Sequence, residues 1–116
     1  MVDRIVASDE QWAKLLEQYP APAYELIRVQ VVAGEVILRN PTEPEYEAFS
    51  AEKWGRSGNE GLKVAHRNAV VMQAVFPDKP TLLAWLKRWP GLPMFPDMTL
   101  AVRQLCGEAQ AIQGKG

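Results

Sequence analysis

The sequence predicts an α+β fold, mainly α: a helical bundle of about five helices with one β-hairpin, at about residues 24–40, packed on it. Two observations carry this. Apolar residues recur at the i, i+3, i+4, i+7 spacing of an amphipathic helix over most of the chain. Between Tyr24 and Asn40 the period drops to 2, the signature of strands. At 116 residues, 47% apolar and 23% charged, the chain suits one folded domain spanning 1–116, with 1–7 and 113–116 expected to fray.

The first helix opens at Ser8, whose hydroxyl suits the N–H of Gln11 while Gln11 reaches back. Asp9 and Glu10 favour the positive helix end. Trp12, Leu15, Leu16 and Tyr19 form one stripe expected to be buried, and Pro20 and Pro22 end the helix. In the hairpin, Ile27, Val29 and Val31 share a face, with Arg28 and Gln30 opposite. Ala33-Gly34 supplies the turn and Glu35 to Arg39 returns. Two strands alone are marginal in water, so one face must lie on the helices or on another copy of the chain.

Thr42-x-x-Glu45 is a capping box for the second helix, with Asn40-Pro41 a competing start one or two residues earlier. Tyr46, Phe49 and Trp54 are expected to face inward, and Glu47, Glu52 and Lys53 to face water. Gly55 to Gly61 reads as a mobile loop. The stretch from Leu62 to Pro93 is expected to organise the core as a helical hairpin. Its first helix puts Leu62, Val64, Ala65, Ala69, Val71, Met72, Val75 and Phe76 on a broad apolar face, with Lys63, His66, Arg67 and Gln73 opposite. Pro77 stops it; Asp78 and Pro80 start the next, which carries Leu82, Leu83, Trp85, Leu86 and Trp89 inward and ends at Pro90-Gly91. Leu92 to Phe95 is an apolar connection. Met98, Ala101, Val102, Leu105, Ala109 and Ile112 mark a last helix, with Gly107 on its outward face at about 1 kcal/mol relative to Ala.

The totals bound the function. A formal net charge of −1 gives no global pull toward nucleic acid or anionic lipid. A single cysteine, Cys106, precludes an intramolecular disulfide framework and fits a reducing compartment. No apolar run reaches the roughly 18 residues of a membrane span, and the N-terminus lacks a signal peptide's apolar segment, so a cytoplasmic protein is expected.

Catalytic chemistry finds little footing. Gly55, Gly58 and Gly61 lack the Gly-Lys-Ser/Thr ending of a phosphate loop and the G-x-G-x-x-G of a dinucleotide loop. His66 reads as a surface histidine and Cys106 as a small core thiol, and no spaced cluster completes a metal site. Glu43, Glu45 and Glu47 belong to a helix first turn. No catalytic, metal or cofactor-binding residue is therefore assigned, and the reading is not an enzyme. Six residues stand as candidates for partner binding: Trp54, Asn68, Trp85, Trp89, Met94 and Phe95. Asn68 falls at the centre of the apolar face, where a buried amide must find partners: a neighbouring backbone segment, or a partner peptide. The tryptophans fit core packing; any of their surface left unburied beside Met94 and Phe95 would mark a protein partner.

The order of motifs also has a likeness. An extended hairpin leads into Arg39-Asn40-Pro41-Thr42-x-x-Glu45-Tyr46-x-x-Phe49. Then come Arg67-Asn68-Ala69-Val70-Val71, Val75-Phe76-Pro77 and Arg88-Trp89-Pro90-Gly91-Leu92. Over about residues 24–107 this order resembles the small tail assembly chaperones of tailed bacteriophages and prophages. The resemblance implies a non-enzymatic, self-associating protein in the bacterial host cytoplasm that binds the tape measure protein during tail morphogenesis. It implies no cofactor and no small-molecule substrate, and a chain of this length would be the short version of a family that also has frameshift-extended forms. The alternative is a small cytoplasmic ligand- or peptide-binding regulatory module, which would carry a closed pocket with a few convergent polar groups.

Overall fold

The computed structural model describes residues 4–55 and 58–108. Within them, five helices and a three-stranded antiparallel sheet follow in the order α1 (Asp9–Gln18), β1 (Leu26–Val31), β2 (Gly34–Arg39), α2 (Glu43–Gly55), α3 (Gly58–Gln73), β3 (Ala74–Phe76), α4 (Lys79–Arg88), a 3-10 turn at Leu92–Met94, and α5 (Pro96–Cys106). The fold is α+β and mainly α, with the β-hairpin at its centre.

Local chemistry places the helix starts where the sequence puts them. The Ser8 hydroxyl accepts from the Gln11 N–H (3.1 Å) and the Gln11 side chain accepts from the Ser8 N–H (2.8 Å). Thr42 and Glu45 form the same reciprocal pair. Asp78 accepts from the Thr81 N–H at 3.0 Å, with Pro80 in the first turn of α4.

The hairpin keeps its alternation, but its turn is Val32-Ala33 rather than the expected Ala33-Gly34, because Gly34 already pairs with Val31 as the first residue of β2. Ile27 faces Leu38 and Val29 faces Val36 across the ladder, and this side joins a core completed by Phe49, Ala65, Ala69, Val70, Leu82, Leu86, Met98 and Val102. The sheet is larger than a hairpin, however. Ala74-Val75-Phe76, expected to finish a helix, instead forms β3 against β2, pairing Phe76 with Ile37 and Ala74 with Leu38. The residue before a proline is pushed away from the helical region, Val and Phe suit a pleat, and the free edge of β2 offers ladder bonds. The Arg39 guanidinium meets the Met72 carbonyl at 3.3 Å, near the end of α3. β2 is thereby central, and its residues 34–38 are all buried.

The same edge of β2 receives the N-terminal arm. The Ile5 N–H donates to the Ala33 carbonyl and the Glu35 N–H to the Ile5 carbonyl, each at 3.0 Å. Gly34, at φ 147°, makes the approach possible: a Cβ there would lie 2.1 Å from the Ile5 carbonyl oxygen.

Several expected faces are corrected. α3 buries Gly61, Ala65, His66, Ala69, Val70 and Gln73, while Leu62, Val64, Val71 and Met72 are half-buried and Asn68 is exposed. The residues α3 buries completely are small, Ala65, Ala69 and Val70, rather than its large apolar ones, and its main neighbour is α2. α1 buries no residue; it lies on the polar side of the sheet, with Trp12 under the Arg28 guanidinium at 4.6 Å and Leu16 exposed. Trp54 is 75% exposed, whereas Lys53 turns in to pair with Glu108 at 2.8 Å, reversing their expected sides. Leu83, expected inward on α4, is exposed. The expected loop from Gly55 to Gly61 is mostly helix, with Arg56 and Ser57 outside the described residues. Gly107 is not an interior glycine: at φ 81° it ends α5, its N–H and that of Glu108 meeting the carbonyls of Gln104 and Arg103. Ala109 and Ile112 lie outside the described residues.

Candidate partner-binding surface

The turn between α4 and α5 is built to hold side chains still. The Trp89 N–H donates to the Trp85 carbonyl at 2.7 Å, closing α4. Successive bonds Leu92 to Trp89, Met94 to Gly91 and Phe95 to Leu92 then wind the chain into the 3-10 turn. The Phe95 carbonyl accepts from Met98 (2.8 Å) and Thr99 (3.0 Å), starting α5 without a gap. Leu92 and Pro93 are buried and pin the turn to the core.

With the backbone so held, Trp89, Met94 and Phe95 form one wall of an open groove of about 440 Å³, and Val31 and Val32 of the hairpin form the other. Its lining is almost wholly apolar. Phe95 is 42% exposed and Val32 62%, so this is surface the chain leaves in water rather than core. Trp89 is half-buried, and the Arg88 guanidinium lies 5.0 Å from its ring centre, capping one face.

Of the six candidate residues, the structure brings Trp89, Met94 and Phe95 together. Trp85 is buried in the core, and Trp54 and Asn68 are exposed elsewhere, on α2 and α3. Val31 and Val32 were missed. A β-branched apolar residue in a hairpin turn, where polar residues are the rule, is the signal that marks Val32.

His66 is 2% exposed, which corrects its reading as a surface residue; its ring meets Phe49 edge-on at 5.3 Å. Its Nδ1 has no partner among the described residues. Burial, then the nearby Lys53 charge, holds its pKa below the usual value. Cys106 is half-buried, and burial, reinforced by the Glu108 charge, pushes its thiol up to about 11, away from the thiolate a nucleophile needs. Among the described residues no group of three or more His, Cys, Asp or Glu is placed to hold a metal ion, and no helix is long and apolar enough to cross a membrane.

No family model, curated protein or solved structure matches the chain.

Proposed function

We propose that this chain is a non-enzymatic assembly chaperone that holds an apolar helical segment of a protein client in the groove between Trp89, Met94, Phe95 and the hairpin turn. The observation that carries this is the exposed, preformed apolar groove: a helix with one apolar stripe is held by such a wall through a few anchoring side chains. The motif order shared with tail assembly chaperones supplies the client, the tape measure protein, and the setting, the cytoplasm of a bacterial host. Self-association belongs to the same reading. The likeness to that family lies in motif order and spacing, while the groove stands on its own geometry.

The test uses a tape measure segment that scatters light on its own as it aggregates. The chain is expected to suppress that scattering in proportion to its concentration. A Val32→Asp, Phe95→Asp double variant changes two exposed positions, so it is expected to keep the far-UV circular dichroism of the parent and to lose the suppression. Equal suppression by the folded double variant, or none by the parent, overturns the proposal.

A further inference from the structure

The apolar groove is one of three clefts that open around Met94. A second, of about 460 Å³, runs past Lys63, Val64, Arg67 and Pro93, and shares Pro90, Gly91 and Met94 with the first. The third, also about 460 Å³, lies between Leu62, His66, Thr99 and Arg103, with Lys53 and Glu108 at its rim. Together they form one surface wrapped around the Pro90–Pro96 turn.

Charge is sorted on this surface. Its described lining takes Arg88 in the first cleft, Lys63 and Arg67 in the second, and Lys53 and Arg103 in the third: five of the chain's 13 Lys and Arg. Against them stands one of its 14 Asp and Glu, Glu108, already satisfied by Lys53 Nζ and the Tyr46 hydroxyl at 2.8 Å each. Arg88, Lys63, Arg67 and Arg103 are exposed and make no ion pair with any described residue. Elsewhere Arg28 and Arg39 are each matched by a glutamate. Lys63 and Arg67 also sit one turn apart on α3, where like charges repel and weaken the helix. A chain of net charge −1 that gathers around an apolar floor four cations with no ion pair among the described residues has a surface made for an acidic partner.

Resting on the docking proposed above, we infer that the client is an amphipathic helix whose apolar stripe is flanked by Asp and Glu. The stripe seats on Trp89, Met94 and Phe95, and the carboxylates meet Arg88, Lys63, Arg67 and Arg103. A helix fits better than nucleic acid or an anionic membrane. The floor is built from Val, Met, Pro and Leu as much as from rings, and Arg88 already covers one face of Trp89. The chain's net charge of −1 also gives an extended polyanion no long-range pull beyond this local rim.

Three labelled helical peptides of about 20 residues, about 30 Å long as a helix, test this. They share one apolar stripe and carry Glu, Gln or Lys beside it, and fluorescence anisotropy reads their binding to the full chain. The Glu peptide is expected to bind about tenfold more tightly than the Lys peptide at low salt, each rim pair adding a modest share. The gap should close near 1 M NaCl, where the Debye length is about 3 Å. Lys63→Glu with Arg67→Glu, both exposed, should invert the preference. Equal binding of all three peptides, lost in the Val32→Asp, Phe95→Asp variant, overturns the charge inference and leaves the groove standing. Binding by none overturns both. Tighter binding of an oligothymidylate or of phosphatidylglycerol vesicles than of the Glu peptide overturns the choice of partner.

Discussion

Replacing Glu35 by Gln should destabilise this protein more than any other single isosteric change of a charged side chain in it. The carboxylate is fully buried and accepts four hydrogen bonds. One oxygen, Oε2, takes Arg28 Nε at 2.6 Å and Gln30 Nε2 at 2.9 Å; the other, Oε1, takes a second Arg28 nitrogen and the Ala7 N–H, both at 3.0 Å. Gln keeps the shape but has one acceptor oxygen, so its NH₂ must confront two donors. If it faces Arg28 Nε and Gln30, a charge-assisted bond is lost; if it faces Ala7, a buried N–H is orphaned. A charged bond contributes about 1.5–3 kcal/mol and an orphaned buried group costs about 1–3 kcal/mol. The Arg28 side chain is 33% exposed and can recover part of its loss from water, which holds the total to about 2–4 kcal/mol. For a domain of this size that lowers Tm by roughly 8–16 °C, read by circular dichroism at pH 7.

A second arm uses pH. Burial alone would raise the Glu35 pKa, but the bonds from Arg28, Ala7 and Gln30 outweigh it and hold the folded value below the ordinary 4.5. A depressed carboxylate contributes stability that is present above 4.5 and lost as pH falls through the folded value. Wild type should therefore lose its advantage over Glu35→Gln below pH 4.5. A variant that melts within about 2 °C of wild type at pH 7 would mean that the network tethers nothing.

Two further perturbations follow from the same packing. Gly34→Ala places a Cβ 2.1 Å from the Ile5 carbonyl oxygen at a φ of 147°, so the N-terminal arm must leave β2. Two backbone hydrogen bonds and the strain together cost about 2–4 kcal/mol, seen as a lower urea midpoint and faster amide exchange at Glu35, and an unchanged midpoint would refute the close approach. Burial disfavours the charged form of His66 in the fold, and the Lys53 and Arg103 cations add to this against the opposing pull of Glu108. Its depressed pKa makes stability fall as pH drops below 6.5, where the unfolded chain takes a proton that the folded one resists. The urea midpoint should decline between about pH 7.5 and 5.5 in wild type and be flatter in His66→Leu; parallel slopes would show that His66 titrates freely.

What the sequence makes legible is what neighbours in sequence decide. The caps at Ser8, Thr42 and Asp78 are each settled within four residues, and all three stand where the local chemistry puts them. The β1–β2 alternation is likewise local. β3 is not: Ala74-Val75-Phe76 fits the end of a helix until the free edge of β2 is there to receive it, and that edge is set by residues more than 30 positions earlier. Glu35 escaped notice for a similar reason. A carboxylate beside a turn reads as solvent-facing, and only the N-terminal arm and Arg28 closing over it make it central to the fold.

Side-chain size explains the remaining misses, including those at the candidate surface. A hydrophobic projection of α3 gives weight to Leu62, Val71 and Met72, yet distance between helices is set by the smallest residues between them. Ala65 and Ala69 are the ones fully buried, and the polar His66 and Gln73 are carried inward beside them. Rotating the helix to bury the alanines turns Asn68 outward. It also leaves Lys63 and Arg67 beside the Met94 turn, so the burial of the alanines and the basic rim follow from one rotation. Trp89, Met94 and Phe95 needed no such tertiary information. They flank one Pro-Gly turn, and a tight turn brings residues on its two sides together whatever the helices do.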